Sequence, residues 1–550
     1  MTQKLIGREC RFALHIPKNN NRSEDTHLIK VQSHYEDGSI QPEIIYFKDF
    51  KRPFWITKKA FQNHKNKKEW APIEELIEYK STQSDLAFSI SKATNKNWGN
   101  DNLHILLQNP YIYGASVPST SIIKHGFNTK YSNLKTLYSF AVLDIETDML
   151  GDLGILMITV LFKNQLLTVI NKGFVEGLSD VVGEVDKKTN HHLKEYIEKY
   201  NLQCKTIIVE DELECIKVAI KQIHKWMPDF LAIWNITFDL NVMLGVLEKR
   251  EIPPEDIFSD PSVPKELRLF EFKKGREKRI TASGVLKPIP LHEQWHTVYN
   301  TASFWFVDAM SVYYHNRLGQ AQEQSYSLDA ILTKELGIHK LKIPEIEGFE
   351  GAAFHMEMQS NYKIEYIVYN RFDCIGMMEL EESTKDLSIT LPMYSRYNDF
   401  SNYDSQPTRA ANTLYFYLKE KGYIIASTGK PIKDDLDDET LDLSGWIAFL
   451  KPHLMMDVGL CCLDEAKDLN SLVLKFVADL DVAAAYPHGQ IVFNVSKETT
   501  KKEILSIEGI DEYVFRKQNI NLLSGHVNSI EYCTTMFGFP AMDDLLKIID

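Results

Sequence analysis

The stretch that most constrains this chain is Phe140–Asp148, which reads FAVLDIETD. Its apolar, β-forming residues predict a buried strand that ends shortly before Gly151. Side chains alternate across a strand, so Asp144 and Glu146 are expected to project from the same face. Two neighbouring carboxylates repel each other and are costly to bury, and a divalent cation such as Mg²⁺ or Mn²⁺ removes both problems. The alternative is an ordinary strand end with two solvated acids, and this stretch alone does not decide between them.

The segments that follow predict a sheet with helices around it. GILMITVLF and QLLTVI extend the first strand into a three-stranded meander, while residues 192–200 and 211–227 have helical spacing. Two further apolar strands are PDFLAIWN and FWFVDAMSVYY, the second ending at Asp308. Asn235 and Asp239 stand at the exit of PDFLAIWN, where a helix is expected to start near Asp239. That carboxylate either faces the first acidic pair or serves as a helix N-cap.

A long amphipathic helix is predicted over residues 363–383, KIEYIVYNRFDCIGMMELEES. Tyr369 and Asp373 are four residues apart, so they share one face of this helix. A phenol one turn before a carboxylate could hold a water that the carboxylate and a metal activate, or the two residues could form an ordinary surface pair. A shorter helix, SYSLDAILTKELG, is expected to begin near Ser327 and to end at Gly337.

Two segments are rich in basic residues. Residues 265–286 carry seven Lys or Arg against three Glu and are expected to form a β-hairpin that turns at Gly275. Such a hairpin could hold a DNA strand, and a plain solvated hairpin is the alternative. Residues 51–70 combine lysines with aromatic residues, which indicates either a nucleic-acid surface or the commoner solvated face.

Length and composition bound the class of protein. A chain of 550 residues is too long for one hydrophobic core, and three or four domains are expected. It has no apolar run long enough to span a membrane, a polar N-terminus and seven cysteines without a CxxC pair, so we expect a cytoplasmic protein without a zinc site. The net charge of −14 argues only weakly against nucleic-acid binding, because a metal–carboxylate site is itself negative before its ions bind.

The chain is predicted to become β-rich again from residue 445, with GWIAFLKP and then LVLKFVADLDVAAAYPHGQIVFNVSKET. In the second segment an apolar strand ends at Asp479 and Asp481, and Tyr486 follows five residues after Asp481. This is another pair of acids at the end of a buried strand.

Taken in order, these motifs resemble those of the family B DNA polymerases, most closely the T-even-phage type. AVLDIETD, NITFD and YNRFD are similar to the three exonuclease motifs of that family, VADLDVAAAYP is similar to polymerase motif A, and GWIAFLKP is similar to a template-contacting segment. The resemblance implies an α/β multidomain protein with an RNase H-like DEDDy 3′→5′ exonuclease domain that holds two Mg²⁺ or Mn²⁺ ions.

The resemblance also implies how the domains are arranged. A mixed α+β N-terminal domain would cover residues 1–138 and the exonuclease domain residues 139–388. Residues 389–440 would return to the N-terminal domain, and residues 441–550 would form the first part of the polymerase palm.

Individual roles are likewise implied by the resemblance. The metal carboxylates of the exonuclease would be Asp144, Glu146, Asp239 and Asp373, and Tyr369 would orient the attacking water. In the palm, the metal ligand would be Asp481, and the nucleotide site would contain Ala484, Ala485 and Tyr486. The residues implied to contact DNA are Asn235, Phe238, Lys273, Lys274, Arg276 and Gly445.

The sequence departs from the family pattern mainly after Tyr486. Nothing there resembles the fingers helix of motif B or the Asp-Thr-Asp turn of motif C, and Ala484, Ala485 and His488 replace the usual Ser, Leu and Ser. Polymerisation by two metals needs carboxylates on both sides of the metal pair, so this chain alone is not expected to polymerise.

Three hypotheses therefore stay open. The chain is the N-terminal part of a split polymerase, a stand-alone exonuclease, or a catalytically idle DNA-binding scaffold. In the first case a second polypeptide would supply the fingers, the thumb and the rest of the palm. The other implied partners are primer–template DNA with its single-stranded 3′ end, dNTPs once the polymerase site is complete, and a sliding clamp. The implied setting is the cytoplasm or nucleoid of a phage-infected cell.

Overall fold

The computed structural model of this protein divides into two compact units, Met1–Asp435 and Leu436–Asp550. It describes residues 4–19, 22–64, 67–94, 102–280, 285–341, 348–349, 351–427, 500–507, 510–517, 520–522 and 525–527, with side chains up to residue 427. The domain boundaries predicted after residues 138 and 388 stay predictions within the first unit. None of the described helices combines the length and the hydrophobicity that crossing a lipid bilayer requires.

The first part of the larger unit contains three small antiparallel sheets. One consists of β1 (Leu5–Ile16), β2 (Thr26–Tyr35) and β3 (Ile40–Lys48), and a second of β4 (Arg52–Thr57), β6 (Leu76–Ser81) and β7 (Ile112–Tyr113). In the third, β5 (Trp70–Pro72) pairs with the much later β18 (Tyr423–Ile425). The accompanying helices are α1 (Leu86–Thr94), α2 (Leu103–Leu106) and α3 (Ser119–Lys130). The pairing of β5 with β18 brings the chain back to its first part after residue 420.

A six-stranded mixed sheet forms the centre of the larger unit, in the order β11-β10-β9-β8-β12-β17. Its strands are β8 (Phe140–Thr147), β9 (Ile155–Phe162), β10 (Gln165–Asn171), β11 (Gln203–Val209), β12 (Phe230–Ile233) and β17 (Trp305–Asp308). The predicted meander is confirmed, because β8, β9 and β10 are consecutive antiparallel neighbours. The strands β12 and β17 run parallel to β8, so their carboxyl ends lie at one edge of the sheet.

Helices cover both faces of this sheet, which makes the unit a mixed α/β structure. On one face α6 (Glu212–Trp226) and α7 (Ile236–Lys249) pack against Ala141, Leu143 and Ile145 of β8. On the other face α12 (Lys363–Thr384) packs against Val142, with α10 (Leu328–Leu336) beside it. Because side chains alternate along β8, Asp144 and Glu146 share the face of Val142, as the sequence predicts, and this face is the one against which α12 packs.

Two helices differ from their predictions. Helix α7 begins at Ile236 and not near Asp239, because Asn235 takes a left-handed conformation with φ of 67° and makes the turn. Asp239 therefore lies in the first turn of α7, and the interpretation of Asp239 as an N-cap is wrong. Helix α12 has the predicted length but is not amphipathic, since it is buried continuously from Tyr366 to Met378 between the sheet and neighbouring helices. The helix predicted from Ser327 to Gly337 is confirmed as α10, with Ser327 as its N-cap and Gly337 at its left-handed end.

The predicted basic hairpin over residues 265–286 does not form. Instead β13 (Phe270–Lys273) pairs with β16 (Thr297–Asn300), and β14 (Lys278–Ile280) pairs with β15 (Leu286–Pro288). Gly275 is not the turn of a hairpin but lies against the backbone of Trp295, where a Cβ atom would come within 2.7 Å of the Trp295 nitrogen. The glycine is needed for this close approach.

The remaining helices of the larger unit are α4 (Val181–His192), α5 (Lys194–Tyr200), α8 (Pro254–Phe258), α9 (Ala309–His315), α11 (Gly351–Asn361), α13 (Leu391–Tyr394) and α14 (Gln406–Glu420). A single π-helical turn at Asp386–Thr390 follows α12. Short 3₁₀ turns occur at Lys59–Phe61, Ile73–Glu75, Lys265–Leu267, Leu291–Glu293 and Phe400–Asn402.

In the second unit, two antiparallel strand pairs are described. The first pair is β19 (Thr500–Ile507) with β20 (Ile510–Lys517), and the second is β21 (Ile520–Leu522) with β22 (Gly525–Val527). The palm residues predicted from the sequence lie outside the described residues; they are Gly445, Asp479, Asp481, Ala484, Ala485 and Tyr486.

Candidate metal centre

Three carboxylates meet where the end of β8 faces α12. Asp144 and Glu146 come from β8 and Asp373 comes from α12, and one oxygen atom of each lies within 4.8 Å of the others. The pair on β8 is not simply solvated, because Glu146 is only 7% exposed and Asp373, at 3%, closes the group. Such a group could hold a metal ion.

A fourth predicted ligand, Asp239, approaches the same strand from α7. Its carboxylate is buried, and the backbone N–H of Ile145, the residue between Asp144 and Glu146, lowers its pKa against the larger opposite effect of burial. Asp239 is not one of the three carboxylates that lie within 4.8 Å of one another. The structure therefore brings all four predicted carboxylates to one edge of the sheet, three of them in close contact.

Asp308, at the end of β17, holds the start of α7 in place. Its Oδ2 atom accepts a hydrogen bond of 3.3 Å from the backbone N–H of Ile236, and its Oδ1 atom accepts one of 3.2 Å from Ser311 at the start of α9. This buried carboxylate thus joins the first turns of two helices, one of which carries Asp239.

Burial raises the pKa of every carboxyl group in the cluster, and repulsion between the acids adds to this for Asp144, Glu146 and Asp239. For Asp144 the main cause is burial, followed by the charges of Asp373 and Asp239, and its pKa lies well above the ordinary value. Burial raises the pKa of Glu146 to about 8 and that of Asp308 to about 7. Burial, followed by the charge of Glu146, also raises the pKa of Asp239. The cluster is therefore held at an electrostatic cost that a bound cation would offset.

A lysine that the sequence analysis did not identify lies in the cluster. The Nζ atom of Lys340 donates to Asp373 Oδ2 at 2.6 Å and to the hydroxyl of Tyr369 at 3.1 Å, and the side chain is 26% exposed. Tyr369 and Asp373 lie side by side on α12, as their four-residue spacing predicts. Both are buried, so they do not form a surface pair. The ammonium group shows that the cluster accommodates a positive charge.

Two further residues of α12 donate hydrogen bonds to the acids on β8. Asn370 Nδ2 donates to Asp144 Oδ2 at 2.6 Å, and the hydroxyl of Tyr366 donates to Glu146 Oε2. Sequence reasoning missed both residues, although Tyr366, Asn370 and Asp373 recur at helical spacing and so share a face of α12 with Tyr369. Each acid on β8 is thus oriented by a partner on α12, as metal ligands usually are.

Two buried oxygen atoms here lack a hydrogen-bond donor in the part of the chain that the structure describes. They are Oδ1 of Asp373 and Oδ1 of Asn370. Buried acceptors without a partner are costly, and oxygen atoms of this kind are suitable ligands for a hard divalent cation. The residues present therefore fit a metal ion at this position.

Of the residues predicted to contact DNA, those that the structure describes lie at the start of α7 and in the basic segment tied to it, whereas Gly445 lies outside the described residues. Phe238 is 51% exposed in the first turn, next to Asp239, and Lys273, Lys274 and Arg276 are exposed. The backbone N–H of Gly275 donates to His296 Nδ1 at 3.2 Å, and His296 Nε2 lies 3.0 Å from Thr237 Oγ1 in α7. This chain of contacts ties the basic segment to the helix that carries Asp239, with Asn235 at its start.

The stability of the metal-free protein is expected to fall as the pH rises. The folded state holds protons on Glu146 and Asp308 up to about pH 8 and pH 7, whereas the unfolded chain releases them near pH 4. As the pH rises from about 4 to these values, the unfolded state gains because its carboxyl groups ionise freely, so the melting temperature in EDTA should decrease between pH 5.5 and pH 8.5 and level off above about pH 8. Mn²⁺ should raise it by at least about 3 °C at pH 8.5 and less at pH 5.5.

Differential scanning fluorimetry at the two pH values, with EDTA or Mn²⁺, measures both effects. Glu146→Gln is expected to reduce the pH dependence and the Mn²⁺ shift together. Asp152→Asn, which removes an exposed acid from the loop after β8, is expected to change neither. An equal Mn²⁺ shift in wild type and Glu146→Gln would contradict the assignment of the site.

Comparison with known proteins adds no relative to this description: no protein-family model matches the chain, and no curated protein shows significant similarity to it.

Proposed function

We propose that this protein is a metal-dependent 3′→5′ exonuclease of the DEDDy type, which removes nucleotides from the 3′ end of DNA. The observation that carries the proposal is the convergence of Asp144 and Glu146 from β8 with Asp373 from α12, with Asp239 facing the same strand. The order of the sheet, an antiparallel meander followed by parallel strands with helices on both faces, supports an RNase H-like domain.

The cofactors of this proposed site are two Mg²⁺ or Mn²⁺ ions held by Asp144, Glu146, Asp239 and Asp373. When bound, such ions supply an activated water and stabilise the leaving 3′ oxygen. The protein's own contribution is to fix the four carboxylates on the sheet edge and on the two helices α7 and α12, so that little reorganisation is needed during the reaction.

Tyr369 and Lys340 would act on the water and on the phosphate. Burial and the charge of Asp373 raise the pKa of Tyr369 far above its usual value, so its hydroxyl stays protonated. Because that hydroxyl accepts a hydrogen bond from Lys340, its own proton is left to donate to the attacking water or to a phosphate oxygen. The positive charge of Lys340 stabilises the negative charge that builds up on the phosphate.

The surface around α7 would bind the DNA. The exposed ring of Phe238, next to Asp239, offers a stacking surface for the terminal base. Lys273, Lys274 and Arg276 would contact the phosphates, because the contact through His296 fixes their segment beside α7. The negative net charge of the whole chain does not oppose this, since DNA responds to the local charge.

We further propose that the exonuclease belongs to the N-terminal part of a split family B DNA polymerase. The motif around Asp481 and Tyr486 supports this, because an exonuclease alone has no use for a palm strand. A second polypeptide would then supply the missing fingers, palm and thumb, and dNTPs and a sliding clamp would act on the complete enzyme. A stand-alone exonuclease is the alternative, and it has the same metal centre.

A primer–template assay tests both proposals. A primer labelled at its 5′ end is incubated with the protein and Mg²⁺, with and without the four dNTPs. Shortening in both reactions is the expected result. Lengthening would contradict the split arrangement, and an unchanged primer together with no Mn²⁺ binding would indicate an idle scaffold.

A further inference from the structure

The acid Glu146 is held by a buried hydrogen-bond network that the catalytic scheme above does not use. The hydroxyl of Tyr366, which is fully buried in α12, donates to Glu146 Oε2. The same hydroxyl lies 2.7 Å from His355 Nδ1 and 3.4 Å from Gln359 Nε2, both on α11. Three elements, β8, α11 and α12, therefore meet at one phenol oxygen.

The donor and acceptor groups of these residues determine the direction of each hydrogen bond in the network. With a cation bound, Glu146 is an ionised carboxylate that can only accept, so the single proton of the Tyr366 hydroxyl is committed to it. His355 Nδ1 and the amide of Gln359 must then both donate to the Tyr366 oxygen. Donation to an oxygen makes its own O–H a better donor, so the two residues on α11 strengthen the bond to Glu146.

Gln359 also fixes the end of the strand that carries Glu146. Its Nε2 atom donates to the carbonyl oxygen of Thr147 at 2.8 Å, and its Oε1 atom accepts from the backbone N–H of Met149 at 2.9 Å. The pairing of β8 with β9 becomes irregular between Glu146 and Thr147, so this strand end has lost regular support from its neighbour. The amide of Gln359 replaces that support.

We propose that Tyr366, supported by His355 and Gln359, is a positioning residue that orients the carboxylate of Glu146 towards those of Asp144 and Asp373 for cation binding. The inference rests on the proposed metal centre and adds to it a second layer of residues on α11. Loss of such a partner typically lowers metal affinity or activity 10- to 100-fold, while the fold persists.

The test is the affinity of the full-length chain for Mn²⁺, measured by isothermal titration calorimetry. Tyr366→Phe removes only the hydroxyl and is expected to weaken Mn²⁺ binding by about 10- to 100-fold. The matched control is Tyr415→Phe, because Tyr415 is also fully buried but its hydroxyl has no hydrogen-bond partner among the described residues. The control should bind Mn²⁺ like the wild type.

Two further measurements separate positioning from a general structural effect. The exonuclease rate of Tyr366→Phe should approach that of the wild type when Mn²⁺ is raised to saturation, which a damaged fold would not allow. Gln359→Ala, which acts on the same phenol and on the strand end, should also weaken Mn²⁺ binding. Mn²⁺ binding that is unchanged in Tyr366→Phe would overturn the inference.

The outcomes for the inference and for the proposed function can be told apart. If the wild type binds Mn²⁺ but degrades no DNA, the exonuclease proposal fails, and calorimetry still decides the role of Tyr366. If the wild type binds Mn²⁺ and degrades DNA while Tyr366→Phe does both equally well at limiting Mn²⁺, only the inference fails. A wild type that binds no Mn²⁺ overturns both.

Discussion

Replacing Asp144 with alanine is expected to lower the rate of 3′-end removal by roughly 10³-fold or more. Asp144 contributes to the close group with Glu146 and Asp373, and it is oriented by Asn370 at 2.6 Å. Its loss removes one of the proposed metal ligands, which the remaining acids are not expected to replace. The measurement is a single-turnover assay with excess protein, a 5′-labelled single strand and Mg²⁺.

The same variant should fold at least as well as the wild type in the absence of metal. Burial and the neighbouring acids raise the pKa of Asp144 well above its usual range, which means that its charge opposes folding at neutral pH. The melting temperature in EDTA should therefore stay the same or increase, and the affinity for single-stranded DNA should be retained.

A matched control is Asp152→Ala, because Asp152 is exposed in the loop that follows β8. It should degrade DNA at the wild-type rate. Wild-type activity in Asp144→Ala would refute the assignment of the site, whereas a lowered melting temperature together with lost activity would indicate general damage.

Local patterns predicted the parts of this site that lie on one element. The alternation of β8 predicts that Asp144 and Glu146 share a face, and the helical period predicts the same for Tyr369 and Asp373. Periodicity cannot bring β8 and α12 together, because more than 200 residues separate them in the sequence. The expectation that β8 and α12 meet rests instead on the resemblance of the ordered motifs to those of the family B DNA polymerases.

Other features depended on long-range packing and had no local signal. Lys340 is one of several lysines in its segment, and only the fold places its Nζ atom beside Asp373. The position of Gly275 in the sequence predicts the turn of a hairpin. In the structure, β13 pairs instead with β16, which lies more than 20 residues further along the chain. Helix α12 does not have the expected exposed polar face, because the sheet and the neighbouring helices bury the helix on all sides. Polar side chains of α12 such as Arg371 are therefore buried as well.

Replacing Arg371 with methionine is expected to lower the free energy of unfolding by about 2–4 kcal/mol. The guanidinium group is fully buried and donates to three threonine hydroxyls: Thr168 at 3.0 Å, Thr189 at 2.8 Å and Thr206 at 2.7 Å. These threonines lie on β10, α4 and β11, so one side chain joins α12 to three other elements. The contact of Arg371 with the carboxylate of Asp186 is 3.9 Å long, and Asp186 is half exposed.

The effect should extend to catalysis, because Arg371 stands between Asn370 and Asp373 on the same helix. A small rotation of α12 moves Tyr369, Asn370 and Asp373 away from β8 at once, so the exonuclease rate should fall even where the variant is fully folded. Arg371→Lys should recover only part of the stability, since an ammonium group cannot reproduce the planar fork that reaches three hydroxyls.

Urea unfolding followed by tryptophan fluorescence measures the change in stability, with Arg250→Met as the control. Arg250 pairs with Asp211 at 3.3 Å on the surface, where both side chains are more than one-third exposed, so its removal should hardly change the midpoint. If Arg371→Met unfolds at the same urea concentration as the wild type, Arg371 does not anchor α12. Because α12 brings Asp373 to the acids of β8, a weaker anchor should also weaken Mn²⁺ binding in the folded variant.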